Sequence, residues 1–140
     1  MKLYFTITRK AAAAVFAAFL LLILLAGDIL AVSGIKADAD THKDRMELIA
    51  NMGITADEDS CETKNVTIPL EFSDVYKEYN ALQKKAGFDL EPYKGCKAVQ
   101  YTYSVKDEPQ RLIHLLVYNG RLIGGDIADI SVNGEMKPLK

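Results

Sequence analysis

Few side chains in this 140-residue sequence could do chemistry near neutral pH: two histidines, two cysteines, and the carboxylates that stand near them. His114 is in phase with Leu112, Leu116 and Tyr118 along an apolar run, and Asp126 and Asp129 follow where a returning strand could bring either one across from it. A histidine beside an acid is the core of general acid-base catalysis, and with a placed nucleophile it would make a small hydrolase. Neither G-x-S-x-G nor H-E-x-x-H occurs, so a histidine satisfied by hydrogen bonds within a strand is the expected state and no catalytic residue is assigned. His42 and His114 are too far apart to show ligand spacing, and no metal or cofactor is expected. Gly124-Gly125-Asp126 lacks the other glycines and the lysine of a phosphate loop, and reads as a bent strand.

Cys61 and Cys96 are the sharpest testable pair. An oxidising compartment would permit a disulfide between them, closing a loop of about 35 residues worth roughly 3 to 4 kcal/mol in the chain-entropy model. Strict alternation puts both on the more polar side of their strands. A bridge is feasible if those strands start side by side in parallel, and not if they run antiparallel over their full length. Two free thiols are the alternative, and a redox-active pair lacks the C-x-x-C spacing.

The compartment is set by the N-terminus. Residues 11–26 are apolar throughout, follow Lys2, Arg9 and Lys10, and extend past Asp28 to Val32. At about 1.5 Å per residue this reaches a full hydrocarbon span of about 30 Å, with Asp28 near the far headgroups. The positive-inside rule then predicts a single-pass anchor over 1–34, a linker over 35–40, and an extracytoplasmic domain over 41–140, in contact with the membrane through 11–34. The alternative is a signal peptide cleaved at the small-x-small site Ala31-Val32-Ser33, which would give a secreted protein. With 17 Lys and Arg against 19 Asp and Glu, signs interspersed and no basic block, nucleic acid is not an expected partner.

The elements that must position these residues are legible in order. Thr41 and Asp44 form a start signal for a helix with Met46, Ile49 and Met52 on its apolar stripe and Gly53 beyond its end. A strand over 62–68 closes at Pro69. A second helix carries Phe72, Val75, Tyr76, Tyr79, Leu82 and Ala86 at helical spacing, with Gly87 as its stop. Period two over 97–105 predicts the next strand, a polar turn over 107–110 follows, and Asn119-Gly120 joins strands 112–118 and 121–123 in a type I′ hairpin. Gly124-Gly125 predicts a bulge or bend, after which Ile127, Ile130 and Val132 continue the sheet to a turn at Asn133-Gly134. The fold class is α+β, in the order α-β-α-β-β-β: a mostly antiparallel sheet of about four strands with both helices on one face. Whether the first two strands are neighbours, and their relative direction, the pattern leaves open. Tyr76, Tyr79, Tyr101, Tyr103 and Tyr118 are expected mostly in the core.

Five segments carry a resemblance: T-x-x-D-R-x-E-L-I-x-x-x-G over 41–53, V-T-I-P over 66–69, V-Y-K-E-Y-N-A-L-Q-K over 75–84, G-F-D-L over 87–90, and L-L-V-Y-N-G-R-L-I-G-G-D over 115–126. Together they resemble an uncharacterised family of small membrane-anchored proteins of Gram-positive bacteria, classed as a domain of unknown function. The resemblance implies a compartment but no activity, and Cys61 and Cys96 stand outside its pattern. In that bacterial setting the Asn65-Val66-Thr67 sequon carries no glycan.

These readings predict a non-enzymatic extracytoplasmic binding or accessory module that engages an envelope partner through its sheet or through the hairpin tip Tyr118, Asn119, Gly120 and Arg121. The alternatives are a small envelope hydrolase or hydrolase regulator using His114 with Asp126 or Asp129, and a structural subunit of an envelope or sporulation assembly.

Overall fold

The computed structural model describes residues 37–131 and 133–139, which belong to the compact unit Ile35–Lys140. The span expected over 11–34 and the candidate cleavage site lie outside the described residues, as does Val132. Among the described residues no helix is long and apolar enough to cross a membrane.

The described residues build α1 (His42–Asn51), β1 (Glu62–Thr67), α2 (Asp74–Lys85), β2 (Lys97–Val105), β3 (Glu108–Tyr118), β4 (Arg121–Asp129) and β5 (Met136–Pro138), with single 3-10 turns at Glu58–Ser60 and Glu91–Tyr93. Thr41 Oγ1 accepts from the Asp44 amide at 3.1 Å while Asp44 Oδ2 accepts from the Thr41 amide at 3.0 Å, so both ends of the capping box are closed. Gly53 then ends α1 at φ +74°. Ser73 caps α2 through the Tyr76 amide, Lys84 and Lys85 face its negative end, and Gly87 follows at φ +86°.

One antiparallel sheet holds the strands in the order β1-β2-β3-β4-β5. Chain order and spatial order coincide, because α2 leaves from the end of β1 and returns to the start of β2 at the same place: the Ile68 amide donates to the Cys96 carbonyl and the Gly95 amide to that of Ile68. Asn119 and Gly120 have φ +49° and +75°, as a type I′ turn between β3 and β4 requires. The turn between β2 and β3 is tighter than 107–110. It occupies Lys106 and Asp107, the latter at φ +65°, and Glu108 already belongs to β3. The expected bulge is present one residue early: Val117 pairs with Leu122 and Leu116 with Gly124, leaving Ile123 unpaired. β4 ends at Asp129, where Asp129 Oδ1 accepts from the Ser131 amide; Ile130 follows the strand, its amide still donating to the Gln110 carbonyl of β3 and its side chain exposed. β5 makes a fifth strand beyond the four expected.

The helices lie on opposite faces of the sheet, not on one. Arg45 and Ile49 of α1 meet the face that carries Tyr101, Tyr103, Ile113, Leu115, Val117 and Ile127. Tyr76 and Tyr79 of α2 meet the other, with Ala98, Leu116 and Ile123. Between these layers β3 and β4 are covered on both sides, which is why Leu115, Leu116 and Val117 are all buried.

Candidate functional site

Strand register brings His114 and Asp126 together. They are direct cross-strand partners on β3 and β4, and His114 Nδ1 lies 2.8 Å from Asp126 Oδ1. The acceptor is a carboxylate, so Nδ1 carries the hydrogen of this bond. Asp126 is only 2% exposed, and its second oxygen, Oδ2, accepts from the Tyr79 hydroxyl of α2 at 3.0 Å. Burial, reinforced by the charge and hydrogen bond of Asp126, pushes the Tyr79 phenol far above its ordinary range and keeps it a donor. Asp129 does not take part. It pairs with Arg111 at the exposed end of β4, where hydrogen bonds from Ser131 hold its carboxyl below the usual range.

The same row continues onto β2, where Thr102 is the cross-strand partner of His114. Thr102, His114 and Asp126 thus stand side by side on three adjacent strands, the order of a nucleophile, base and orienting acid. The Thr102 hydroxyl, however, accepts from Gln100 Nε2 at 3.4 Å and makes no hydrogen bond to His114 among the described residues. Hollows on the described surface lie elsewhere, among them one of about 500 Å³ around Met52, Ile54 and Val105 and one of about 610 Å³ around Asp57, Ser104 and Lys106.

The buried side of α2 is more polar than its apolar spacing predicts. Val75 points to solvent, while Asn80 and Gln83 are buried. Gln83 Oε1 accepts from the Gly125 amide at 2.8 Å, and Asn80 Oδ1 accepts from the Leu90 amide at 2.8 Å. Both amides substitute for main-chain partners where the chain bends away from regular pairing. A Cβ on Gly124 would sit 2.9 Å from Gln83 Oε1, and one on Gly125 would run into the His114 carbonyl. Gly124-Gly125-Asp126 is therefore where α2 seats on the sheet, not a phosphate cradle.

Sequence reasoning also missed Arg45, which is one turn before Ile49 and hence on the inner face of α1. It is 6% exposed; its Nη1 donates to the Ala39 and Asp40 carbonyls at 2.9 and 2.7 Å, and its Nε donates to the Tyr103 hydroxyl at 3.0 Å. Its guanidinium carbon lies 3.6 Å from the Tyr101 ring centre. The Tyr103 hydroxyl also lies 3.3 Å from His42 Nδ1.

Cys61 and Cys96 are both free. The expected bridge is not formed, because β1 and β2 run antiparallel with Glu62 opposite Thr102 and Thr67 opposite Lys97, which puts the two strand starts at opposite ends. They also belong to opposite faces: Cys61 packs with the core under α1, beside Tyr103, and Cys96 stands beside Tyr118. At the hairpin tip Asn119 and Arg121 are exposed, but the main chain is occupied. Ala39 donates to the Gly120 carbonyl at 2.8 Å, and Leu122 donates to the Ala37 carbonyl at 3.1 Å.

No curated protein and no solved structure matches the chain. The profile of a domain of unknown function, DUF4830, matches residues 48–127, more than half of the sequence and all of the His114, Asp126 and Tyr79 site. The chain belongs to the DUF4830 family.

Proposed function

We propose that this protein is a non-enzymatic binding or accessory module, tethered to the outer face of a cell membrane through residues 11–34 and engaging an envelope partner with the uncovered half of its sheet. One observation carries the reading: every β1 residue except Val66 is exposed, and Val99, Gln100, Tyr101 and Thr102 of β2 are half-exposed beside them. Asp126, the acid beside His114, has both of its oxygens taken by partners on neighbouring elements. The hairpin tip is less available than this surface, because residues 37–39 already lie along it.

A photo-crosslinking residue at Val99 or Gln100 of the full chain in its native membrane tests the reading, with the exposed end of α2 at Lys85 as control. Adducts of one defined heterologous mass from the β2 positions and not from Lys85 are expected. No heterologous adduct, or the same adducts from all three positions, would overturn it. Labelling of an Asn65→Cys variant by a membrane-impermeant thiol reagent in intact cells is expected if the domain is outside, and protection until lysis would reject that placement.

A second reading, a small hydrolase, is favoured by the cross-strand row alone. In it the Thr102 hydroxyl would attack the ester or amide carbonyl, His114 would take its proton and pass it to the departing alcohol or amine, water would then release the acyl group from Thr102, and Asp126 would hold the imidazole. Ester or amide turnover lost in both Thr102→Val and His114→Ala, with the fold retained, would displace the binding reading.

A further inference from the structure

The two edges of the sheet are treated differently. β5 is short, three residues, and carries Lys137 and Pro138, the usual ways of blunting an edge. β1 is twice as long, regular in its register with β2, exposed on both faces and free of proline until Pro69. The Ile68 amide donates toward β2, so by alternation Glu62, Lys64 and Val66 direct their main-chain groups inward. Thr63, Asn65 and Thr67 therefore turn theirs out, with no strand beside them among the described residues.

We propose that this edge pairs with the β1 of a second copy, in antiparallel register about a two-fold axis through Thr63, joining two five-stranded sheets into one. The inference goes beyond the binding role and does not depend on it. Outward-facing residues must face outward-facing residues, which leaves only registers with Thr63, Lys64 or Asn65 near the centre of the strand. An axis at Lys64 sets that lysine directly against its copy, a destabilising like-charge pair. An axis at Asn65 sets Glu62 against the apolar Ile68. An axis at Thr63 sets Glu62 of each copy opposite Lys64 of the other, twice, at the non-hydrogen-bonded positions where cross-strand side chains approach most closely. The outward main-chain groups of Cys61, Thr63 and Asn65 then exchange about six hydrogen bonds. Pairing stops at Cys61, because the 3-10 turn before it folds toward β2, with Ser60 Oγ accepting from the Ser104 amide.

The test is sedimentation of the full chain in detergent micelles over a range of concentrations, for the wild type, Glu62→Lys, Lys64→Glu, and an equimolar mixture of the two variants. Each variant alone faces like charges at both pairs, and roughly tenfold weaker dimerisation is expected. In the mixture the two variants complement each other, and dimer at about the wild-type affinity is expected. Both positions are exposed, so the unfolding midpoint of each variant is expected to match the wild type, which separates this outcome from misfolding. A wild type that stays monomeric, a dimer equally strong in both variants, or a mixture that stays dissociated would each overturn the proposal.

Discussion

Tyr79 donates to Asp126 across the seam between α2 and β4, at 3.0 Å, and the same carboxylate meets His114 of β3 through its other oxygen. One buried acid thus connects a helix and two strands. Tyr79→Phe keeps the ring and removes the donor, leaving one carboxylate oxygen buried without its partner. A loss of about 1 to 3 kcal/mol is expected, read as a lower urea midpoint with an unchanged slope. A loss below about 0.5 kcal/mol would show that water replaces the hydroxyl and that the contact is dispensable.

The two glycines beside Asp126 make different demands. Gly124→Ala brings a methyl to 2.9 Å from Gln83 Oε1, a side-chain atom that yields by loosening its bond to the Gly125 amide, and a cost of about 1 to 2 kcal/mol is expected. Gly125→Ala drives its methyl into the His114 carbonyl, which is main chain in a central strand and cannot yield without breaking its pairing. It is expected to cost about 3 kcal/mol or to prevent folding. Thermal unfolding of the two variants side by side gives the order.

Much of this architecture was legible. The Asn119-Gly120 hairpin, the 97–105 strand and the Thr41 cap depend on residues whose local requirements are narrow, and each is where its residues predict it. The pairing of His114 with Asp126 rather than Asp129 was not resolved, because a bulge at Ile123 shifts register by one and only the folded pairing shows where. The opposite placement of the helices was overlooked, although unbroken Leu115, Leu116 and Val117 signals burial on both faces. Asn80, Gln83 and Arg45 were missed for another reason: apolar periodicity counts only apolar residues, and these polar side chains are buried to satisfy main-chain groups. β5 has three residues, too few for any period to show.

Alkaline titration probes the tyrosines. Burial pushes the Tyr103 hydroxyl up to about 12, with the Cys61 thiol adding to the rise and Arg45 opposing it. Below pH 10 both folded and unfolded chains keep this proton, and the contribution to stability is complete. Between pH 10 and 12 the unfolded chain loses a proton that native Tyr103 retains, so stability falls by up to about 1.4 kcal/mol per pH unit. Tyr79, raised further, adds to the same fall. Tyr103→Phe is expected to flatten the decline above pH 10 in denaturant titrations at fixed pH.

The cysteines give a direct readout of strand direction. With Cys61 and Cys96 at opposite ends and on opposite faces of the β1–β2 pair, alkylation of the unreduced, denatured protein is expected to add two groups. Cys61→Ser and Cys96→Ser are each expected to leave the oxidised and reduced proteins equally stable. A mass showing no alkylation would require the first two strands to be paired in another way.

Arg45 offers the sharpest separation of charge from geometry. Its planar fork donates to the Ala39 and Asp40 carbonyls and the Tyr103 hydroxyl while its face covers Tyr101, and it thereby fastens the segment before α1 to the sheet. Lysine keeps the charge but has no planar face and no fixed fork. Arg45→Ala is expected to cost about 2 to 4 kcal/mol, because charged donors are lost and the Ala39 carbonyl stays buried. Arg45→Lys is expected to recover less than half of that. Recovery to wild type by lysine would mean that positive charge alone holds residues 39–40, and the stacking on Tyr101 would then contribute nothing measurable.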